Sequence, residues 1–118
     1  MIKQAMTLDP YTPSQHHFVI GHYHLQKGEY ETALAEYQKI NMPDYFPTWR
    51  ALAVVYGHLG RTDEANSAAN RMLELNPGYE MDVARYLRDW NYSENFVTLT
   101  LDGLRKAGLE IPEEPVAE

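Results

Sequence analysis

Gly28 and Gly60 stand 32 residues apart, and the stretches that follow them, GEYETALAEYQKI and GRTDEANSAANRM, superpose on that spacing. Self-similarity at a period of about 20–50 residues marks a chain built from repeated supersecondary units. No single unit of that size can bury its own apolar face, so neighbouring units must stack. The residues on either side of each glycine recur at helical spacing, and glycine ends a helix because it tolerates the left-handed conformation there. The repeated unit is therefore expected to be helix–turn–helix.

Reading along the chain gives six helices. Pro13 cannot continue an incoming helix and Ser14 offers a cap, so the first is expected from about Ser14, with Phe18, Gly21 and Leu25 on one face and Gly28 as its stop. The second spans Tyr30 to Ile40, with Ala33, Leu34, Tyr37 and Ile40 as its apolar set. The third spans Phe46 to Leu59 and is apolar almost all round (Trp49, Leu52, Ala53, Val54, Val55, Tyr56), which predicts cover on more than one side. A fourth starts at Thr62 and Asp63 and reaches Leu75, where Asn76-Pro77-Gly78 closes it. Met81 to Trp90 is a fifth, carrying Val83, Tyr86 and Leu87. The sixth, Glu94 to Ala107, takes Asn91 or Ser93 as cap and Gly108 as stop. No segment alternates as a strand would.

The second unit resembles the tetratricopeptide repeat, whose pattern is W-x₂-L-G-x₂-Y, then A-x₃-F, then P. Trp49, Leu52, Ala53 and Tyr56 hold its spacings, Ala65 and Ala69 follow, and Pro77 closes the unit twelve residues after Ala65. The first unit diverges: His17, Ile20, Gly21 and His24 hold the leading positions, Ala33 and Tyr37 match, and Pro43 and Pro47 straddle the closing proline. Ala5 to Pro10 is similar to the end of such a unit, MTLDP beside LELNP. The resemblance implies an all-α fold of antiparallel helix pairs stacked in a right-handed superhelix, about six helices with a C-terminal capping helix. It implies a remnant of a preceding unit at 1–10, a helical domain over 11–109 (units at about 14–45 and 46–79, capping helices at about 80–108), and a disordered acidic tail at 110–118. The order LDPYTP, GEYETALAEY, ALAVVYGHLGRTDEA, RMLELNPGYE, LDGLRKAGLEIPEEP is also similar to the C-terminal end of bacterial class III adenylate and guanylate cyclases and related signalling proteins. The chain is accordingly expected to be cut from something longer whose catalytic domain lies upstream.

Charge narrows the partners. The net charge is −7, and Glu110, Glu113, Glu114 and Glu118 supply four of the negative charges. An acidic body without a run of Lys or Arg is a poor match for phosphate backbones, so neither nucleic acid nor an anionic membrane is expected as partner. There is no cysteine, which excludes disulfides and thiolate zinc sites and fits a cytoplasmic location. Met1 to Pro10 lacks the apolar run of a signal peptide.

Chemistry is sparse. The histidines His16, His17, His22, His24 and His58 contain no i,i+3 or i,i+4 pair, the spacing a helical metal pair needs, so no metal or cofactor is expected. His17 and His24 read as replacements for aromatic packing residues, and His22 and His58 as lining a groove. Glu29, Glu31, Asp63 and Glu64 sit in first turns, where carboxylates complement the helix dipole. No phosphate loop and no nucleophile motif is present, so no enzyme activity is expected. Stacks of this kind bind through the face made by first helices. That face should carry Gln15, Phe18, His22, Leu25 and Gln26 from one unit and Arg50, Val54, Gly57, His58 and Arg61 from the next. The Lys and Asn clamp that co-chaperone members of the family use on a peptide's carboxylate is absent. The expectation is a non-catalytic protein–protein interaction module for a protein or peptide partner. Two alternatives stand beside it: self-association, as a homodimer, and small-ligand or metal sensing in the groove with His22 and His58 as anchors.

Overall fold

The computed structural model describes residues 12–112 of the chain. They form six α-helices and one 3₁₀ turn, with no strand among the described residues: α1 (Thr12–Gln26), α2 (Tyr30–Tyr37), α3 (Phe46–His58), α4 (Thr62–Leu75), the 3₁₀ turn (Tyr79–Met81), α5 (Val83–Asp89) and α6 (Glu94–Lys106). None of these helices is long and apolar enough to cross a membrane. The expected remnant at 1–10 and the end of the acidic tail, 113–118, lie outside the described residues.

Four of the helices end in the same way. The N–H of Glu29, Arg61, Tyr92 and Leu109 donates back to the carbonyl of His24, Tyr56, Leu87 and Leu104, at 2.9, 2.9, 3.1 and 3.1 Å. The residue before each donor has positive φ: Gly28 (79°), Gly60 (76°), Asn91 (63°) and Gly108 (99°). This is the Schellman closure, which satisfies carbonyls left open in the last turn. Asn takes the glycine's place once, since its short polar side chain tolerates the left-handed region better than most.

The boundaries differ from expectation in a few places. α1 begins at Thr12, so Ser14 lies inside it; the Ser14 hydroxyl instead accepts a 3.1 Å hydrogen bond from the Asn41 N–H and ties the α2–α3 loop to α1. α2 stops at Tyr37, three residues short of Ile40. α4 runs from Thr62 to Leu75 as expected; Arg61 holds its cap position with no side-chain cap bond, and its guanidinium pairs with Glu64 at 2.6 Å. Between Met81 and Trp90 only Val83–Asp89 is α-helical. Of the two candidate caps for α6, Ser93 serves: its Oγ accepts from the Phe96 N–H at 3.1 Å. Ile111, expected in the tail, is buried with the core.

Packing rests on small residues at close approaches. The Tyr37 ring of α2 lies against Gly21 of α1, where any Cβ would overlap it. Ala53, Ala65, Ala69 and Met72 are fully buried in the α3–α4 pair. α6 returns across the molecule to lie on α3, and also touches α1 and α4. Gly57 of α3 faces Gly103 of α6, and a Cβ on Gly103 would stand 2.7 Å from Val54 Cγ1 and 2.8 Å from the Val54 carbonyl oxygen. α3 is thus covered by α4 on one side and α6 on another, as its all-round apolar sequence requires.

Candidate functional site

The face expected to bind is carried by α1 and α3, and α6 covers its central part. His22 and Leu25 of α1 and Val54 and Gly57 of α3 are buried there. The His22 ring is 4.5 Å from that of Phe96 and 5.7 Å from that of Tyr92. Gln26 Oε1 accepts a 3.0 Å hydrogen bond from the Ser93 hydroxyl. His58 Nε2 donates to the Leu99 carbonyl of α6 at 2.8 Å, and its ring stacks on Tyr30 at 4.9 Å. Arg61 stands apart from these, exposed at the turn, with its guanidinium 5.1 Å from the centre of the Tyr56 ring.

The histidines are engaged within the fold. His22 shares a 2.6 Å hydrogen bond between Nδ1 and the Tyr37 hydroxyl. Burial, with Arg50 nearby, lowers its pKa to about 3, so the ring is neutral at any ordinary pH. Burial likewise pushes the Tyr37 hydroxyl above its usual range. His17 and His24, expected as packing residues, donate to carboxylates: His17 to Glu36 of α2 at 2.9 Å and His24 to Glu29, the residue that caps α2, at 2.7 Å. Those bonds hold both carboxyls below their ordinary pKa, with Lys39 assisting at Glu36. Imidazole is a poor substitute for an indole or phenol in apolar packing, and a nearby carboxylate gives its N–H a partner. Among the described residues no group of three or more His, Cys, Asp or Glu is placed to hold a metal ion.

The other end of the same face is open. A cavity of about 320 Å³ is lined by Gln15 and Phe18 of α1, Arg50 of α3, the loop residues Met42 and Tyr45, and by Pro47, Tyr86, Trp90 and Tyr92. Trp90 stands at its rim, 66% exposed. Arg50 is 2% exposed and lines the cavity. Among the described residues its hydrogen bond is one donation from Nη1 to the Tyr79 hydroxyl at 3.0 Å. None of their ion pairs includes it. The guanidinium carbon lies 5.9 Å from the centres of the Tyr86 and Tyr92 rings. Such cation–π contacts contribute on the order of 1–2 kcal/mol when desolvated. Burying a charge costs several kcal/mol, and the rings and one hydroxyl are what the described residues set against it.

Gln15, Phe18 and Arg50 were thus legible as members of one face, and the structure places them together. Tyr45, Tyr86, Trp90 and Tyr92 complete the cavity and were not singled out as site residues. The available signal was aromatic spacing: Tyr86 and Trp90 stand four apart on one helical face, with Tyr92 two residues on. No family model, no curated protein and no solved structure matches the chain.

Proposed function

We propose that the chain is a non-catalytic protein-binding module of the tetratricopeptide type, two helix pairs stacked and then closed by a C-terminal helix. It would serve as the regulatory or oligomerising end of a bacterial signalling protein, such as a nucleotide cyclase, in the cytoplasm. The observation that supports this most is the equivalence of α1–α2 and α3–α4 under the 32-residue shift. Gly28 and Gly60 hold the same backbone conformation, at φ of 79° and 76°. Glu29 and Arg61 are both helix caps. Each contacts the residue five before it, Glu29 by hydrogen bond to His24 and Arg61 over the Tyr56 ring. Ala33 and Ala65 are both fully buried, as are Tyr37 and Ala69. Burial, cap position and turn conformation thus recur at one fixed offset in the two hairpins, which supports the repeat reading.

The partner surface on this reading is the outer edge of α1, where Val19 and Tyr23, one helical turn apart, are 67% and 56% exposed. Open ends of a repeat stack present an apolar edge that a further unit covers. A second copy of the chain is the alternative occupant, which would make self-association the function itself. Sedimentation velocity tests both. It would be run on the chain alone from micromolar to millimolar concentration, and on the chain mixed with the rest of any longer polypeptide that encodes it. The expected result is association in one of these experiments, lost in Val19→Asp/Tyr23→Glu with the helical circular dichroism unchanged. A strictly monomeric chain that binds nothing in either experiment removes the reading.

A further inference from the structure

We infer that the Arg50 cavity is a binding site for a small organic monocarboxylate carried on a flat aromatic body. The inference is independent of the protein-binding reading, which concerns the outer edge of α1.

Charge selects the head of the ligand. Arginine stays protonated at any pH at which the chain is folded. Here it is buried and lines a cavity without a carboxylate partner among the described residues. Tyr79 occupies Nη1. The Nε–Nη2 edge takes no partner among the described residues, and that edge is a fork whose spacing matches the two oxygens of a carboxylate. Among the described residues no other ionised side chain lines the cavity, so a single negative charge is matched and a phosphate dianion is not. His22, which burial and the Arg50 charge keep neutral, adds no second charge.

Shape selects the body. Phe18, Tyr45, Tyr86, Trp90 and Tyr92 form the walls, with the Phe18 and Tyr45 rings edge-on at 5.9 Å and the Tyr86 and Trp90 rings tilted by 31° at 6.1 Å. Aromatic walls favour a ring stacked or edge-on against them. A volume of about 320 Å³ is at the small end of ligand pockets, room for one or two fused rings. Gln15 at the mouth can hydrogen-bond a polar substituent.

The test uses the full chain and four probes: 2-naphthoate, its neutral analogue 2-naphthalenemethanol, acetate and inorganic phosphate. Binding is read by isothermal titration and by the tryptophan fluorescence of a Trp49→Phe background, which leaves Trp90 as reporter. The expected result is saturable binding of 2-naphthoate, at least about 10-fold tighter than the alcohol and than either small anion, with a rise in melting temperature at saturation. Arg50→Met should remove the preference for the acid over the alcohol. Trp90→Ala, at an exposed position that carries little of the core, should weaken 2-naphthoate about 5-fold or more, read by titration, and so keeps the test alive if the Arg50 variant does not fold. Equal affinity for acid and alcohol, equal affinity for phosphate and 2-naphthoate, no effect of Trp90→Ala, or no binding by any probe at millimolar concentration each overturns the inference.

Discussion

His22 sits where three elements meet: Tyr37 of α2 bonds its Nδ1, Arg50 of α3 stands close, and Tyr92 and Phe96 close over it from the last part of the chain. Burial, and after it the charge of Arg50, disfavours an imidazolium there. The unfolded histidine titrates near 6.5, while the folded one does so only at about 3. Between those values the unfolded state binds the extra proton, so stability is full above pH 6.5 and falls as the pH is lowered through that window. The loss attributable to His22 should reach roughly 2 kcal/mol by pH 5, before carboxylates begin to titrate. Urea unfolding at pH 7 and pH 5 measures it, and His22→Gln should flatten the difference; an equal loss in that variant would assign the effect elsewhere. The sequence could place His22 on the same face as Phe18 and Leu25 by spacing alone. It could not show that the face is closed, because the cover comes from Ser93 and Phe96, some seventy residues away. Arg50 could be placed on the binding face, but its lack of a carboxylate partner among the described residues could not be read, because that is decided by tertiary neighbours and not by its own segment.

At the scale of elements, the stops were the most legible feature and the starts the least. Gly28, Gly60 and Gly108 end their helices because only a residue without Cβ adopts their positive φ cheaply, a rule that acts locally. Starts depend on which side chain reaches a free N–H. Ser14 was lost to the Asn41 N–H, and Ser93 won over Asn91. Ser93→Ala should therefore destabilise the chain by about 1 kcal/mol, by removing the acceptor for the Phe96 N–H and the donor to Gln26. Asn91→Ala should not act through α6 at all, but through its left-handed φ at the end of α5. The seat of α6 on α3 depends on Gly57 and Gly103, spacing that reads in the sequence only as two glycines inside helices. Gly103→Ala should cost about 1–3 kcal/mol, since the methyl group must displace Val54 main-chain atoms rather than a flexible side-chain tip. The neighbouring exposed Asp102→Ala is the control. Denaturant midpoints that do not separate the two variants would mean the crossing is looser than these distances.

At the scale of the molecule, the helical content was legible throughout, while the role of the last helix was only half so. A capping helix was expected at the end of a stack; α6 instead lies along the face that the stack was expected to leave open. A chain ending at Asn91 should therefore expose Leu25, Val54 and Gly57. It should self-associate or bind an apolar dye, and regain a monodisperse profile in size-exclusion chromatography when a peptide of residues 92–112 is added in trans. A monomeric, dye-silent truncation would show that α6 adds little. The return of α6 also bears on how the length of such a protein can change. In an open array of helix pairs a duplication inserts one more copy, and each copy still meets only its neighbours. Here one helix grips α1 and α3 together. A further pair inserted between them would carry α1 beyond its reach and strip the cover from His22. The closing helix thus bars insertion between α1 and α3, and leaves the rim of the cavity and the outer edge of α1 free to vary.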